Sequence, residues 1–295
     1  MIESIALPLH AITSLCSKHF IAGSRLHLSG LQVKVHDVLF EDRGVTLLHT
    51  VQMLPVLTHL AIRHCNEASS LLAPVSASNG LPTCKELSEL RSCSLTQLKV
   101  EMLGCPPDGN LLRLSGLPAL RSCWFIGSES DMPLNMCIDG TSFEGALQLQ
   151  QLHVESDPGL QLQHGSLQQL SALTSLMLRR CGLRSVPADV GFLGGTLREL
   201  DLAHNYSMQF TSPALENILQ CKRLEVIYLF KPNISQWAGS FGPSWPSVEQ
   251  HMAQEGYVPH QLSTDSVKQM MKLEVEFLLR HGRRLHVDLD TDGLG

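Results

Sequence analysis

The sequence predicts an α/β repeat fold in which short parallel strands alternate with short helices or turns. Apolar residues, mostly leucines, recur in pairs two positions apart, and such pairs point to one face of a strand. The first member of each pair lies at 33, 60, 98, 123, 152, 176, 200 or 227, so the steps are 24 to 29 residues apart from one of 38. A helical stripe would not keep returning to a two-residue step. Because one unit cannot bury its own leucines, neighbouring units must stack.

The clearest units lie within residues 170–205. In the first, a Leu-x-Leu pair is preceded by leucines at three-residue steps and followed by Cys181; the second repeats this 24 residues on, with Asn205 in that place. Here the chain leaves the strand, and an asparagine can bond backbone groups that the turn leaves unpaired. A cysteine fits the same place as a small buried apolar group. Asp157 is expected there in the preceding unit.

These residues resemble the leucine-rich repeat of intracellular proteins. The sequence LPVLTHLAIRHC at 54–65 is similar to repeats of F-box-associated proteins, and 170–205 is similar to the plant-like subtype. The resemblance implies a curved leucine-rich-repeat solenoid, with a parallel β-sheet on the concave face and short helices or turns on the convex face. It also implies that the activity is the binding of a protein partner on the concave face.

The repeat pattern divides the chain into three predicted regions. They are irregular N-terminal repeats or a cap at 1–50, the solenoid at 51–234 and a C-terminal cap at 235–295. In the first region Ile5 and Leu7 fit a strand, and both 26–28 and 33–35 fit the next one, of which 33–35 keeps the spacing regular. Segments 73–84 and 127–142 are irregular and rich in polar, glycine or proline residues, which predicts loops.

The C-terminal cap is predicted to contain a loop, a helix and a strand. The loop covers 235–263, and Thr264 or Asp265 can cap a helix that runs to about His281. Gly282 is a plausible stop for this helix. Alternating apolar residues then predict a final strand within 284–289.

The composition indicates which binding partners and which cellular compartment to expect. The net charge is −6, which provides neither the basic patch that nucleic acids require nor a polybasic membrane signal. No apolar run approaches the length of a membrane span. The nine cysteines are an odd number without a C-x-x-C pair, so we expect reduced thiols and no structural zinc. Reduced thiols indicate a cytoplasmic protein, which could also be nuclear.

Outward-facing strand positions are the candidate binding residues. The candidate set is Trp124, His153, Glu155, Met177, Arg179, Glu199, Asp201, Tyr228 and Phe230. Large apolar groups facing outward are typical of binding sites, and charged neighbours can set a partner's orientation. Two alternatives stay open. A register shifted by one residue would turn Trp124 inward, and the C-terminal cap could cover Tyr228 and Phe230.

The sequence predicts no enzyme, no cofactor and no metal site. No phosphate-binding loop, nucleophile elbow or zinc-protease motif occurs. Asp288, Asp290 and Asp292 imitate the start of a calcium-binding loop, but a strand rather than a helix is predicted before them.

Three functions fit a partner-binding repeat protein. The first is substrate recognition in a ubiquitin-ligase complex, indicated by 54–65, although no F-box is visible. The second is a fragment of a signalling or immune-type sensor, indicated by 170–205. The third is a non-catalytic regulator such as a GTPase activator, which needs an arginine or asparagine at the solenoid rim. In each case we expect a protein partner, no nucleic acid, no membrane and a monomer outside the complex.

Overall fold

The computed structural model is α/β, as predicted, and its paired strands run parallel. It describes residues 5–8, 30–35, 57–64, 84–101, 110–127, 135–209, 211–230 and 265–290. The chain forms two compact units, Met1–Ala172 and Leu173–Gly295. Within the described part of each unit the sheet is open, because its first and last strands do not pair with each other.

The first unit contains a main sheet and a smaller one. The main sheet has the order β1 (Ile5–Pro8), β2 (Gly30–Val35), β3 (His59–His64), β4 (Gln97–Glu101), β6 (Ser122–Ile126) and β8 (Gln151–Glu155). The smaller sheet has the order β5 (Asn110–Leu111), β7 (Met136–Ile138) and β9 (Gln161–Leu162). A short helix, α1 (Cys84–Ser88), precedes β4.

The second unit continues the alternation of strand and helix. Its elements are β10 (Ser175–Arg179), a 3₁₀ helix (Ala188–Leu193), β11 (Glu199–Asp201), α2 (Ser212–Leu219), β12 (Val226–Phe230), α3 (Asp265–His281) and β13 (His286–Asp290). The strands pair in the order β10, β11, β12 and β13, all parallel.

The strand registers confirm most of the predicted pairs. Leu98, Cys123 and Leu152 are register partners in the first unit. Of the two candidates for the second strand, the structure has the one that contains Val33. Its predicted register was wrong by two residues, because Leu31 rather than Val33 pairs with Leu60. A shift of two keeps the same side chains on the same face, so the apolar pattern could not detect it.

Three-residue turns carry the leucines that precede each strand. The Leu117 N–H donates to the Leu114 carbonyl and the Leu120 N–H to the Leu117 carbonyl, both at 3.1 Å. All three leucines are at most 1% exposed. The same bond spans Leu167 to Leu170 and Cys221 to Leu224. The L-x-x-L spacing is therefore a run of tight turns, each of which returns one side chain to the core.

The C-terminal helix and strand were predicted nearly to the residue. Helix α3 is Asp265–His281, and Gly282 follows at φ +65°, where its N–H donates to the Leu278 carbonyl at 2.7 Å. Strand β13 begins at His286, two residues after Arg284, where the predicted range begins. It pairs in parallel with β12. The predicted loop at 235–263 lies outside the described residues. None of the described helices combines the length and apolarity needed to cross a membrane.

One predicted loop contains a strand. Residues 127–142 were expected to be irregular, yet Met136–Ile138 form β7 between β5 and β9. Met136 and Ile138 are buried, whereas Cys137 between them is partly exposed. Three residues are too few for the alternation that identifies a strand in a sequence.

Candidate partner-binding face

The same unusual backbone conformation recurs after three of the strands. Ser156, Arg180 and His204 lie 24 residues apart, and all have positive φ, at 58°, 55° and 58°. Each lies one to three residues after the end of a strand. The next residue is Asp157, Cys181 or Asn205, the place where the repeat was predicted to leave the strand. Non-glycine residues rarely adopt this conformation, so three at one repeat position indicate a common turn.

The residue after each turn bonds the backbone, as predicted. The Asn205 Oδ1 accepts from the N–H groups of Cys181 at 2.9 Å and Leu183 at 3.1 Å. Its Nδ2 donates to the Leu178 and Leu202 carbonyls at 2.7 and 2.9 Å. Asn205 is 0% exposed, so its amide satisfies groups that would otherwise be buried without partners.

Asp157 does the same in the first unit with acceptors alone. Its Oδ1 accepts from the Asn135 N–H at 2.9 Å and from the Gly159 N–H at 3.2 Å. Its Oδ2 accepts from the Met136 N–H at 3.0 Å. The carboxylate thereby links the end of β8, in the main sheet, to the start of β7, in the smaller sheet.

Trp124 faces outward, as predicted. Its strand neighbours Cys123 and Phe125 are both 0% exposed, whereas Trp124 is half-buried. Successive side chains of a strand point to opposite faces, so the alternative register that turns Trp124 inward is wrong. The Trp124 Nε1–H donates to Ser122 Oγ at 2.7 Å, which fixes the edge of the indole.

A row of basic and aromatic side chains crosses the first unit. Lys99, Trp124 and His153 are register partners on β4, β6 and β8. The Lys99 Nζ lies 5.8 Å from the Trp124 ring centroid, a cation–π distance. The His153 and Trp124 centroids lie 4.5 Å apart with the rings tilted by 49°. The indole is therefore flanked by a cation on one strand and an imidazole on the other.

The next row along the strands is acidic at both sides. Glu101, Ile126 and Glu155 are register partners there. The Glu101 Oε1 lies 2.9 Å from the Lys99 Nζ, and the Glu155 Oε2 lies 3.2 Å from the His153 Nε2. Each acid thus lies beside the basic side chain two positions earlier on its own strand. These pairs leave Trp124 and Ile126 as the uncharged centre of the face.

His153 is more enclosed than an outward strand position predicts. It is 7% exposed, and within the described chain neither ring nitrogen makes a hydrogen bond. The 3.2 Å contact with Glu155 becomes an ion pair only when the imidazole is protonated. The neighbouring Trp124 indole packs against the ring and covers part of it.

Tyr228 lies in the centre of an acidic row in the second unit. Met177, Asp201, Tyr228 and Asp288 are successive register partners from β10 to β13. Met177 and Tyr228 are half-buried. Partial burial raises the pKa of the Tyr228 phenol, and the carboxylates of Glu199, Asp288 and Asp201 raise it further. The C-terminal strand thus flanks Tyr228 without covering it completely.

Two acidic candidates of the second unit have local hydrogen-bond partners. Asp201 is 4% exposed, and its Oδ1 accepts from the Ala203 N–H at 2.8 Å. The carboxylate caps the backbone where β11 ends, although Asp201 stands at an outward-facing strand position. Glu199 is half-buried and accepts from Ser175 Oγ at 2.8 Å. Glu199 thus bonds a side chain on β10, and Asp201 bonds the backbone that follows β11.

Arg179 belongs to a hydrogen-bonded group of side chains, with His204 and Tyr206, that the sequence did not predict. Its Nη2 lies 3.1 Å from the His204 Nε2, and the Tyr206 hydroxyl lies 3.3 Å from the His204 Nδ1. His204 is 3% exposed. In the sequence, a signal for the burial of His204 was its position directly before Asn205. Phe230 ends β12 opposite Asp290, but its side chain lies outside the described part of the structure.

The cysteines of the described residues are free thiols, and two of the buried ones, Cys123 and Cys221, are unsuited to nucleophilic chemistry. Burial raises the pKa of Cys221 to about 12 and also raises that of Cys123. A thiol at neutral pH is then protonated and unreactive. In the described ranges, no group of three or more His, Cys, Asp or Glu is arranged to hold a metal ion.

Comparison of the sequence with models of known protein families gives no match, and comparison with curated proteins gives none either.

Proposed function

We propose that this chain is a leucine-rich-repeat solenoid that binds a partner protein through the outward face of its parallel strands. The observation that carries the proposal is the pair of half-buried aromatic side chains, Trp124 and Tyr228, each in the middle of a regular cross-strand row. Aromatic anchors surrounded by charged groups are typical of protein interfaces. The recurring turns at 156, 180 and 204 support the repeat interpretation.

The two anchors are pre-ordered by different means. Trp124 is fixed by its bond to Ser122 and by contacts with Lys99 and His153. Tyr228 is held between Asp201 and Asp288 on the adjacent strands. Rigid aromatic groups lose little conformational entropy on binding. The nearby charges, Glu155, Arg179 and Glu199 among them, would then determine which partner approaches and in which orientation.

Affinity capture followed by mass spectrometry tests the proposal. We would compare the wild-type chain with Trp124→Ala/Tyr228→Ala, and expect partners to be lost because hot-spot truncations weaken binding by about tenfold or more. The matched control is Leu147→Ala/Phe192→Ala, which removes two large side chains that are 52% and 48% exposed but lie outside the strands. A double variant at the strand face that keeps every partner would refute the proposal.

Substrate recognition in a ubiquitin-ligase complex is the more specific form of this proposal. Its support is the similarity of 54–65 to F-box-associated repeats. If it is correct, the capture from cytoplasm or nucleus contains a ligase scaffold besides the substrate. Captured partners without any ligase component would reject this form and leave the general binding role in place.

A further inference from the structure

We propose that the Glu274 carboxylate guards the outer edge of β13, the edge that faces away from β12, and keeps a second copy of this chain from pairing there. Among the described strands, β13 pairs with β12 alone, so it is the last strand of its sheet. A strand at a sheet edge presents a row of backbone N–H and C=O groups with which another chain can pair. This edge is distinct from the outward face, so its protection does not depend on the proposed function.

The strand register shows which backbone groups of β13 lie at the outer edge. The His286 N–H donates to the Glu225 carbonyl at 2.9 Å, so the backbone groups of His286 point towards β12. These groups alternate between the two sides of a strand, and those of Val287 and Leu289 therefore point away from β12. The Val287 N–H is thus a donor that an added strand would use.

Glu274 of helix α3 occupies this donor. Its Oε1 accepts from the Val287 N–H at 3.2 Å. The Glu274 side chain is half-buried, and burial raises the pKa of its carboxyl, whereas the bond from Val287 lowers it. A carboxylate that is partly withdrawn from water and bonded to an edge N–H competes directly with the carbonyl of an incoming strand.

A charge on β13 itself is a second obstacle to pairing. Asp288 is exposed and lies between the two residues whose backbone groups form the outer edge. Two copies that paired through this same edge would be related by a two-fold axis, so each would bring its own Asp288 to the contact. Like charges opposite each other destabilise paired strands. The effect of the Glu274 bond is therefore isolated only when the charge of Asp288 is also removed.

Two double variants isolate that bond. Glu274→Gln/Asp288→Asn keeps a side-chain oxygen that can accept from Val287, whereas Glu274→Met/Asp288→Asn fills nearly the same space without an oxygen. The two variants have equal net charge, and both replacements at 274 are good helix formers. In sedimentation velocity over a concentration series, we expect the wild type and the first variant to stay monomeric. The apparent mass of the second should rise towards that of a dimer.

Amide hydrogen exchange measured by NMR locates the contact. In Glu274→Met/Asp288→Asn at low concentration, the Val287 amide should exchange faster than in the wild type, because its acceptor is gone. As the concentration rises, the Val287 and Leu289 amides should both become protected, since a strand of the second copy then bonds them. Association that instead lowers protection throughout β12 and β13 would reflect unfolding and would overturn the proposal.

Equal behaviour of the two double variants, both monomeric or both associating, would also overturn it, because they differ in the acceptor at 274. So would a wild-type chain that already pairs through this edge. If Glu274→Met/Asp288→Asn does not fold, as judged by circular dichroism, Glu274→Ala/Asp288→Asn takes its place, since alanine lacks an acceptor and favours the helix.

Discussion

At the scale of single residues, one place in the repeat is filled by three different side chains. Asn205 donates and accepts, Asp157 only accepts, and Cys181 is a buried thiol whose Sγ lies 3.3 Å from the Arg179 carbonyl. The hydrogen-bonding capacity of each side chain determines which backbone groups it can satisfy. Of the three, Asn205 bonds both N–H and C=O groups of two neighbouring repeats, so we expect its removal to cost the most stability.

Asn205→Ala is expected to destabilise the chain strongly. It would leave the N–H groups of Cys181 and Leu183 without their acceptor and two buried carbonyls without their donor. We expect a loss of about 4 kcal/mol, since four groups lose a partner and each unsatisfied buried group costs at least about 1 kcal/mol. Urea denaturation monitored by circular dichroism measures it, and Gln161→Ala, at an exposed position, is the control. An unchanged urea midpoint would mean that water molecules replace the hydrogen bonds of the Asn205 amide.

Cysteine reactivity provides a second test at this scale. The Cys221 thiol, with its pKa raised to about 12 by burial, stays protonated at pH 8, whereas Cys93 is exposed. We expect iodoacetamide at pH 8 to label Cys93 in the native chain and to label Cys221 only in denaturant. Mass spectrometry of the labelled peptides measures both sites in one sample. Equal labelling of both in the native chain would contradict the burial of Cys221.

At the scale of elements, close approach between turns limits which residues the repeat accepts. A Cβ on Gly116 would lie 2.0 Å from the Leu90 carbonyl oxygen, and the Gly116 carbonyl itself accepts from the Ser92 N–H at 3.0 Å. Neither backbone can move without disturbing the turns that carry Leu114 and Leu117. The glycine is therefore required by packing between successive turns, not by an unusual backbone angle.

Gly116→Ala should destabilise the first unit by about 1–3 kcal/mol, the usual range for overpacking. Gly140→Ala is the matched control, because its Cβ would meet only the Gly165 carbonyl oxygen at 3.9 Å, an ordinary contact. Thermal denaturation of both variants beside the wild type measures the difference. Equal melting temperatures for the two variants would mean that the turns can separate.

Helix α3 is joined to α2 by a bidentate ion pair between Arg280 and Glu216, called here the arginine fork. The Arg280 Nη1 and Nη2 donate to the two carboxylate oxygens of Glu216 at 2.7 and 2.8 Å, and Nε donates to Glu276 at 2.8 Å. The His281 Nε2 lies 2.7 Å from the Leu219 carbonyl oxygen. These contacts place the C-terminal helix against the helix before β12, which is how β13 comes to extend the sheet.

The fork predicts a pH-dependent coupling. Bonding to Arg280 lowers the pKa of Glu216, so its contribution is complete above the unfolded carboxyl pKa and is lost as the pH falls through the folded one. A double-mutant cycle of Arg280→Ala and Glu216→Gln should give about 0.5–1 kcal/mol at pH 7, because the side chains are 37% and 50% exposed. The coupling should vanish in strong acid. The more exposed pair Arg198 and Glu225 is the control.

The strands that the sequence predicted and the one that it missed differ in their sequence context. Strands with a full Leu-x-Leu pair, such as those at Leu98 and Leu176, were predicted because the pair and the preceding turns give several matching positions at once. The strand at Met136–Ile138 has no such context. The burial of His153 and Asp201 was missed for another reason, since it depends on neighbours from other strands and on the backbone. Periodicity gives the direction of a side chain but not what covers it.

At the scale of the whole molecule, the proposed solenoid makes a prediction about size. A compact domain of 295 residues has a radius of gyration of about 19 Å. A solenoid stacks its units along one direction, each in contact only with its neighbours, so the solution value should be clearly larger. Small-angle X-ray scattering of the monomer measures it. A radius near 19 Å would rule out the solenoid.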